Sequence, residues 1–543
     1  MMKIKLPVCI AGLLVFTATG LQAQQRISEE ARKLLIAYSA IATLYVDPSD
    51  DRKLTEDAIT GMLEKLDPHS EYSNPEETKE LTEPLESNFD GIGIQFNMLT
   101  DTLYVIQVIS GGPSEKTGLL AGDRIIFVDD TLIAGVKMKN TDIMKRLRGP
   151  RNTKVRVKIR RNGLEDMPEY TITRGNIPIY SLDAAYMADD STGYIRLSRF
   201  AITSTKEIRE AIDKLLLQGM KNLVLDLQGN GGGYLHIAHE LADEFLDSDK
   251  LIVYTQGNRQ PRENSFASER GNFEKGRLAI LVDEYSASAS EIVSGAVQDW
   301  DRGVIIGRRT FGKGLVQKPV PLPDGSMIRL TVARYYTPSG RNIQKHYTLG
   351  NDTLYNRELI ERYNRGELMS ADSIHFPDSL KFNTLLSKRT VYGGGGIMPD
   401  IFIPLDSTRY TDYHRKISAL GLINIVGMNY LDKNRKTLNK NCPDILRYKR
   451  HFEVPETLLE ELRQLAAEKE VEFNEAQFNK SRALIALQIK ALIARDLFDT
   501  SEYYQIINDE NASLKEALRI INHPGVYHKI LGANPPPMHA RAE

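Results

Sequence analysis

A chain of 543 residues, with 70 basic and 72 acidic side chains and 41% hydrophobic residues, is too long for one hydrophobic core and too evenly charged for a general polyanion binder. Several domains with sizeable cores are expected, and the balance of charge argues against nucleic acid as a partner.

The chain begins with Lys3 and Lys5, continues through an apolar run from Leu6 to Gly20, and reaches Leu21-Gln22-Ala23, which has the small residue of a cleavage site. This reads as a secretory signal peptide over residues 1–23, and so as an exported, periplasmic protein. A retained membrane anchor is the rival reading, against which the run falls short of the roughly 20 apolar residues that span a bilayer. Cys9 sits too early in the run to suggest lipid attachment, and beyond it only Cys442 remains. One cysteine forms no internal disulfide, so packing must stabilise the exported chain.

Residues 24–85 carry helical spacing, with Leu54, Ile59, Met62, Leu63 and Leu66 leading to a helix stop at Asp67-Pro68. From 86 to 175 the texture changes to short β-type runs broken by glycine: GIGIQF, LYVIQVI, RIIFV and KVRVKIRR. Between 176 and 406 strand-like runs alternate with helical stretches (TGYIRL, EIREAIDKLLLQ, NLVLDL, LAILVDE, EIVSGAVQDW), the pattern of an α/β domain. Residues 407–543 are mainly helical, with Leu458, Leu462 and Leu465 on one face, and end in a loose NPPPMHARAE tail.

SASAS, between the strand LAILVDE and the helix EIVSGAVQDW, places Ser288 at a strand-to-helix turn. A nucleophile there is exposed on one side, and the helix's first N–H groups favour the oxyanion formed when a carbonyl is attacked. The same residues, Ser288 to Glu291, also spell a capping box, in which the serine merely satisfies the helix start. This segment alone leaves both readings open.

Lys313 and Gln317, in RTFGKGLVQ, add a candidate base and its partner. At an ordinary pKa a lysine is neutral about once in 2,500 molecules at pH 7, so its use as a base costs about 4.6 kcal/mol unless the pKa falls. Burial lowers it, a carboxylate partner raises it, and the neutral amide of Gln317 holds the nitrogen without adding charge. Arg308 and Arg309 either depress it further or face solvent. Gly307 to Lys313 also approximates a phosphate-binding loop, but Gly314 replaces the hydroxyl residue and the proline-rich LVQKPVPLPDG cannot supply the helix that should follow. His236 and His239 have helical spacing without the acidic order of a zinc peptidase, and no metal is inferred.

Taken together these motifs resemble the carboxyl-terminal processing, or tail-specific, serine peptidases. The resemblance runs from about residue 30 to 406 through LDPHSEY (66–72), GIGIQF (91–96), GGPSEKTGLLAGDRIIFVDD (111–130), LRGPRNTKVRVKIRR (147–161), GYIRLSRF (193–200), LVLDLQGNGGG (223–233), SASASEI (286–292), RTFGKGLVQ (309–317), LTVARYYTPSGRNIQ (330–344) and GIMPDI (396–401).

The resemblance implies an α/β and α+β multidomain protein: a helical N-terminal segment, a β-rich PDZ domain, a crotonase-like α/β serine peptidase domain and a helical C-terminal extension. It implies Ser288 as nucleophile, Lys313 as base, Gln317 as its orienting partner, and backbone N–H groups of Ala289 and Gly232 as the oxyanion hole. No cofactor is implied. Gly91, Ile92, Gly93 and Ile94 are expected to receive the C-terminus of a protein or peptide substrate, and Arg148 is either a coupling residue between the PDZ and protease sites or a surface arginine. Gln228 stands where the family pattern usually has arginine. The insert at 345–395 carries no assignable role, and the helical ends are a candidate surface for self-association. A noncatalytic PDZ scaffold is the alternative, but it would not be expected to keep Ser288, Lys313 and Gln317 together.

Overall fold

The computed structural model describes residues 28–99, 101–109, 111–268 and 271–532. The expected signal peptide and the NPPPMHARAE tail lie outside the described residues.

The chain divides into two compact units at Lys65 and Leu66. The first holds α1 (Glu29–Leu44), capped by the Ser28 hydroxyl, and α2 (Asp51–Leu63), capped by the Asp50 carboxylate. α2 stops at Leu63 and does not continue to the Asp67-Pro68 boundary expected from periodicity. In the second unit the Asp67 carboxylate instead accepts from the His69 N–H and the Ser70 hydroxyl, building a turn. That turn leads into β1 (Glu71–Ser73), which pairs with the long strand Met327–Tyr336. The end of the expected helical segment therefore adds a strand to a sheet. α3 (Pro75–Thr82) follows, opened by an Asn74/Glu77 capping box.

The β-rich region comprises β2 (Asn88–Gly91), β3 (Ile94–Leu99), β4 (Thr102–Val108), α4 (Pro113–Thr117), β5 (Arg124–Val128), β6 (Thr131–Leu132), α5 (Asn140–Leu147), β7 (Lys154–Arg160), β8 (Glu169–Thr173) and β9 (Gly175–Pro178). Its sheet runs β3-β4-β5-β7-β8, leaving β3 on an edge, while β2 pairs with β9. Along KVRVKIR, Val155, Val157 and Ile159 alternate inward, and they share one core with Ile92, Ile94, Ile143 and Leu147.

The α/β region contains β10 (Leu182–Met187), β11 (Thr192–Leu197), α6 (Ser204–Leu217), β12 (Asn222–Asp226), α7 (Leu235–Asp243), β13 (Leu251–Gln256), β14 (Glu263–Phe266), β15 (Arg277–Val282), α8 (Ala289–Asp299), β16 (Val304–Gly307), β17 (Leu315–Pro321) and β18 (Met327–Tyr336). After it come α9 (Asp352–Asn364), a hairpin of β19 (Lys381–Asn383) and β20 (Thr390–Tyr392), and β21 (Ile401–Phe402). The central sheet, β10-β11-β12-β15-β16-β21, is parallel except for β10. β12 is buried throughout and β15 from Leu278 onward, as a sheet covered on both faces requires. A second sheet, β1-β18-β13-β14 with β17 on β18, stands beside it.

The C-terminal helices are α10 (Asp412–Ala419), α11 (Leu422–Asn441), α12 (Ile445–His451), α13 (Glu456–Glu468), α14 (Glu475–Leu497), α15 (Thr500–Ile507), α16 (Ala512–Ile521) and α17 (Pro524–Ile530). α10 to α15 enclose a core of their own. Among the described residues no helix is long and apolar enough to cross a membrane.

Candidate active site

The ends of β12 and β15 and the start of α8 converge on one cleft. The three serines of SASAS divide their work. Ser286 Oγ donates to the Leu227 carbonyl at 2.8 Å, and Ser290 Oγ donates to the Asn230 carbonyl at 2.8 Å. Both are buried and tie the turn to the glycine loop, whereas Ser288 lines the cleft. Its backbone has φ +56° and ψ −111°, a conformation costing a non-glycine residue on the order of 1–3 kcal/mol, and it is held there by neighbouring contacts. The Ser288 N–H donates to Glu291 Oε2 at 2.8 Å, and Gly232 packs so close that a Cβ on it would lie 2.9 Å from Ser288 Cβ.

Glu291 does more than close a cap. This fully buried carboxylate accepts from Thr310 Oγ1 (2.5 Å) and Gly312 N–H (2.7 Å) on Oε1, and from Ser288 N–H (2.8 Å) and Lys313 N–H (2.9 Å) on Oε2. Burial pushes its pKa up to about 7, against the four hydrogen bonds, which favour the ionised form. On the opposite side the Tyr335 hydroxyl lies 3.2 Å from the Ser288 carbonyl oxygen and 2.5 Å from that of Lys313. Two groups thus bind the backbones of Ser288 and Lys313 to each other.

Lys313 sits in the loop between β16 and β17, with no helix after it, so the phosphate-loop reading has no structural counterpart. Its Nζ donates to Gln317 Oε1 at 2.8 Å, and burial lowers its pKa, partly offset by the charges of Asp67 and Glu291. Gln317 Nε2 donates to the His69 carbonyl, which turns the amide oxygen toward the lysine. His69 belongs to the turn built on Asp67, and Asp67 Oδ1 also accepts from Thr331 Oγ1 (2.8 Å), on the strand opposite Gln317. Among lining residues of the cleft, about 440 Å³ in volume, are Arg199, Lys313 and Arg329 but no carboxylate.

The insert at 345–395 braces the lysine loop. Arg362, buried on α9, donates to the carbonyls of Arg309 (2.6 Å) and Thr310 (3.1 Å), and Tyr355 Oη lies 2.7 Å from His69 Nε2. Arg308 and Arg309 are buried in ion pairs with Glu284 and Glu367 (2.6 Å each), so neither faces solvent.

The glycine loop is ordered by Asn230, whose Nδ2 donates to the Leu197 carbonyl and whose Oδ1 accepts the Gly232 N–H, both at 2.9 Å. In this arrangement the Gly232 N–H, expected in the oxyanion hole, is occupied by Asn230 Oδ1. Gly232 also supplies clearance: its φ of +103° and the approach of Ser288 both exclude a side chain. Ala289 N–H, at the first turn of α8, has no intrahelical partner.

In the β-rich region, Ile92 and Gly93 link β2 to β3, with Gly91 and Ile94 at the strand ends. Their carbonyls are used, Ile92 by Ser114 and Gly93 by Ile109, while neither N–H makes a hydrogen bond among the described residues. Arg148 does not line the cleft that holds Ser288 and Lys313. Its Nη1 pairs with Glu83 Oε2 at 2.6 Å and its guanidinium lies 4.5 Å over the Phe89 ring, just ahead of Leu85 and Pro84 on the cleft wall. His239 Nε2 lies 3.0 Å from the Phe266 carbonyl oxygen, and among the described residues no group of His, Cys, Asp and Glu is arranged to hold a metal ion.

Comparison with known proteins matches residues 191–352 to peptidase family S41 and residues 91–167 to the PDZ domain. The carboxy-terminal-processing protease of Bartonella bacilliformis is 36% identical over 331 residues, covering 60% of this chain and 75% of that protein. The chain belongs to the carboxy-terminal processing proteases of family S41.

It is therefore a serine-type peptidase with a PDZ domain, built to bind peptide substrates. Residues 16–78 match the N-terminal domain of the activating protease CtpB, and residues 413–499 match a family of unknown function. The carboxyl-terminal-processing protease of Synechocystis is 37% identical over 305 residues, 55% of this chain and 70% of that one. A solved photosystem II D1 C-terminal processing protease is 31% identical, with a TM-score of 0.33 over 59% of this chain and 91% of that one.

Sequence reasoning met Glu291 only as a cap partner, and His69, Tyr335 and Asn230 only inside motifs. An acid three residues after a candidate nucleophile, at the start of a helix, is the one signal that pointed to Glu291.

Proposed function

We propose that this chain is an exported endopeptidase that captures substrate C-termini on its PDZ domain and cleaves by a Ser288–Lys313 mechanism. The observation that carries this reading is the joining of Ser288 and Lys313 at one cleft, with Nζ buried and its hydrogen bond given to a neutral amide. A lysine so placed loses proton affinity, as a general base at neutral pH must.

In the proposed reaction Ser288 Oγ attacks the peptide carbonyl carbon while neutral Lys313 takes the hydroxyl proton. Ala289 N–H stabilises the oxyanion, and the Gly232 N–H joins it by shifting from Asn230 to the substrate oxygen. Collapse breaks the C–N bond, and the Lys313 ammonium gives its proton to the leaving amine. Water, deprotonated by Lys313, then hydrolyses the acyl ester and returns Ser288.

At the PDZ domain, the N–H groups of Ile92 and Gly93, without a hydrogen-bond partner among the described residues, and β3, an edge strand among them, support capture of a carboxylate with addition of a strand. Arg148, paired with Glu83 beside the cleft wall, supports coupling of that event to the protease site. The exposed Leu35, Ile36 and Leu44 of α1 support self-association through a helical end. The test is cleavage of an unfolded substrate carrying a free or an amidated C-terminus. The free acid should be cleaved at lower concentration, and equal KM values for the two forms would remove the PDZ domain as selector.

A further inference from the structure

One face of the central sheet is covered by α6, α7 and α8, and the other by α16 and α17, through Leu514, Ile520, Ile521 and Tyr527. Tyr527 Oη lies 3.0 Å from both the N and the O of Leu278 on β15. The C-terminal helical extension therefore covers one face of the central sheet, and it also reaches the root of the glycine loop.

Arg196, at the end of β11, donates to Asp226 Oδ2 at 2.7 Å and to the Gln228 carbonyl at 2.8 Å. Gln228 immediately precedes Gly229–Gly233. The outer face of the Arg196 guanidinium lies 4.8 Å over the ring of Tyr504, on α15. Next to it, Asn511 Nδ2 donates to Gln228 Oε1 (3.2 Å), and Gln228 Nε2 lies 3.4 Å from Ser513 Oγ. Both ends of this arrangement are chemically specific. A guanidinium plane stacks on an aromatic face while its edge donates in a fixed fork, so ring and loop are held in register by one side chain.

We infer that the C-terminal helices position the glycine loop for catalysis, with Arg196 as the positioning residue and Tyr504 and Asn511 as its supports. None of them lines the cleft. Their effect passes through the Gln228 backbone to the loop that faces Ser288, where small displacements of a reacting group cost rate more than binding. The inference rests on the proposed role of Ser288.

The test measures kcat and KM on a short peptide ester, together with melting temperature, for the full chain and four variants. Tyr504→Ala should lower kcat by about tenfold with KM within about twofold, whereas Tyr504→Phe, which keeps the ring under Arg196, should keep kcat within about twofold. Should Tyr504→Ala fail to fold, Asn511→Ser retains an N-cap oxygen for α16 while withdrawing the donor to Gln228, and a severalfold fall in kcat at unchanged melting temperature is expected. Unchanged kcat in Tyr504→Ala or in folded Asn511→Ser, or equal losses in Tyr504→Ala and Tyr504→Phe, would overturn the inference. Ser288→Ala separates the two claims: if it stays active the reading of the dyad has failed, and if it is inactive while Tyr504→Ala is unaffected only the brace has failed.

Discussion

Ser288 and Lys313 share one acceptor: Glu291 Oε2 takes the backbone N–H of each, at 2.8 and 2.9 Å. A carboxylate at the first turn of α8 therefore ties the two backbones together, as the Tyr335 hydroxyl does through their carbonyls, independently of any direct bond between their side chains.

Replacing Glu291 by Gln puts an NH2 group against N–H donors. Leaving such buried groups unmatched costs about 1–3 kcal/mol, and kcat should fall by roughly 10- to 100-fold as the two backbones separate. The pH dependence is a second signature. Because burial holds the folded-state pKa near 7, above its ordinary 4.5, the protein loses stability as pH rises through that window. Glu291→Gln should lack that part of the slope in melting temperatures measured from pH 4.5 to 8.

Gln317→Glu tests why the lysine's partner is neutral. A carboxylate in place of an amide oxygen 2.8 Å from Nζ would raise the Lys313 pKa. The rising limb of kcat/KM against pH should move to higher pH by about 1–3 units. Gln317→Leu should slow the enzyme without an alkaline displacement.

His69 predicts an acid weakness. Burial first, and then the charge of Lys313, bring its pKa down to about 3, so the folded state holds a neutral ring where the unfolded chain protonates near 6.5. Stability from this group is complete above 6.5 and is lost as pH falls toward 3, at about 1.4 kcal/mol per unit of displacement. His69→Phe should lose less melting temperature than the parent between pH 7 and 4, while its backbone carbonyl still holds Gln317.

Gly93 separates binding from chemistry. With φ at +77° and a Cβ position 3.0 Å from Ile177 Cδ1, Gly93→Ala should distort the loop that links β2 and β3. KM for a substrate with a free C-terminal tail should rise by about tenfold or more, while kcat on a short peptide ester stays unchanged.

Much of this was legible in the chain. TGYIRL, NLVLDL and LAILVDE lie on β11, β12 and β15, and EIVSGAVQDW lies on α8, because buried parallel strands and an amphipathic helix leave strong local patterns. Ser288, Lys313 and Gln317 were legible through spacing and motif. Tyr335 and His69 were not, because each acts on residues distant in sequence that pairing of β17 with β18, and of β18 with β1, brings near; Glu291 was legible as a cap on Ser288 but not as the acceptor of Gly312 and Lys313, which lie more than 20 positions on. The same holds for α16, whose apolar face reads like any surface helix until the sheet it covers is known.

The most direct measurement is the single-turnover acylation rate of the parent, Ser288→Ala, Lys313→Ala and Lys313→Arg. Arginine keeps charge and reach at position 313 but does not release a proton below about pH 12, so it cannot act as the base. The account predicts that all three variants lose at least about a thousandfold in rate while remaining folded. Acylation by Lys313→Arg at the parental rate, or cleavage by Ser288→Ala, would contradict it.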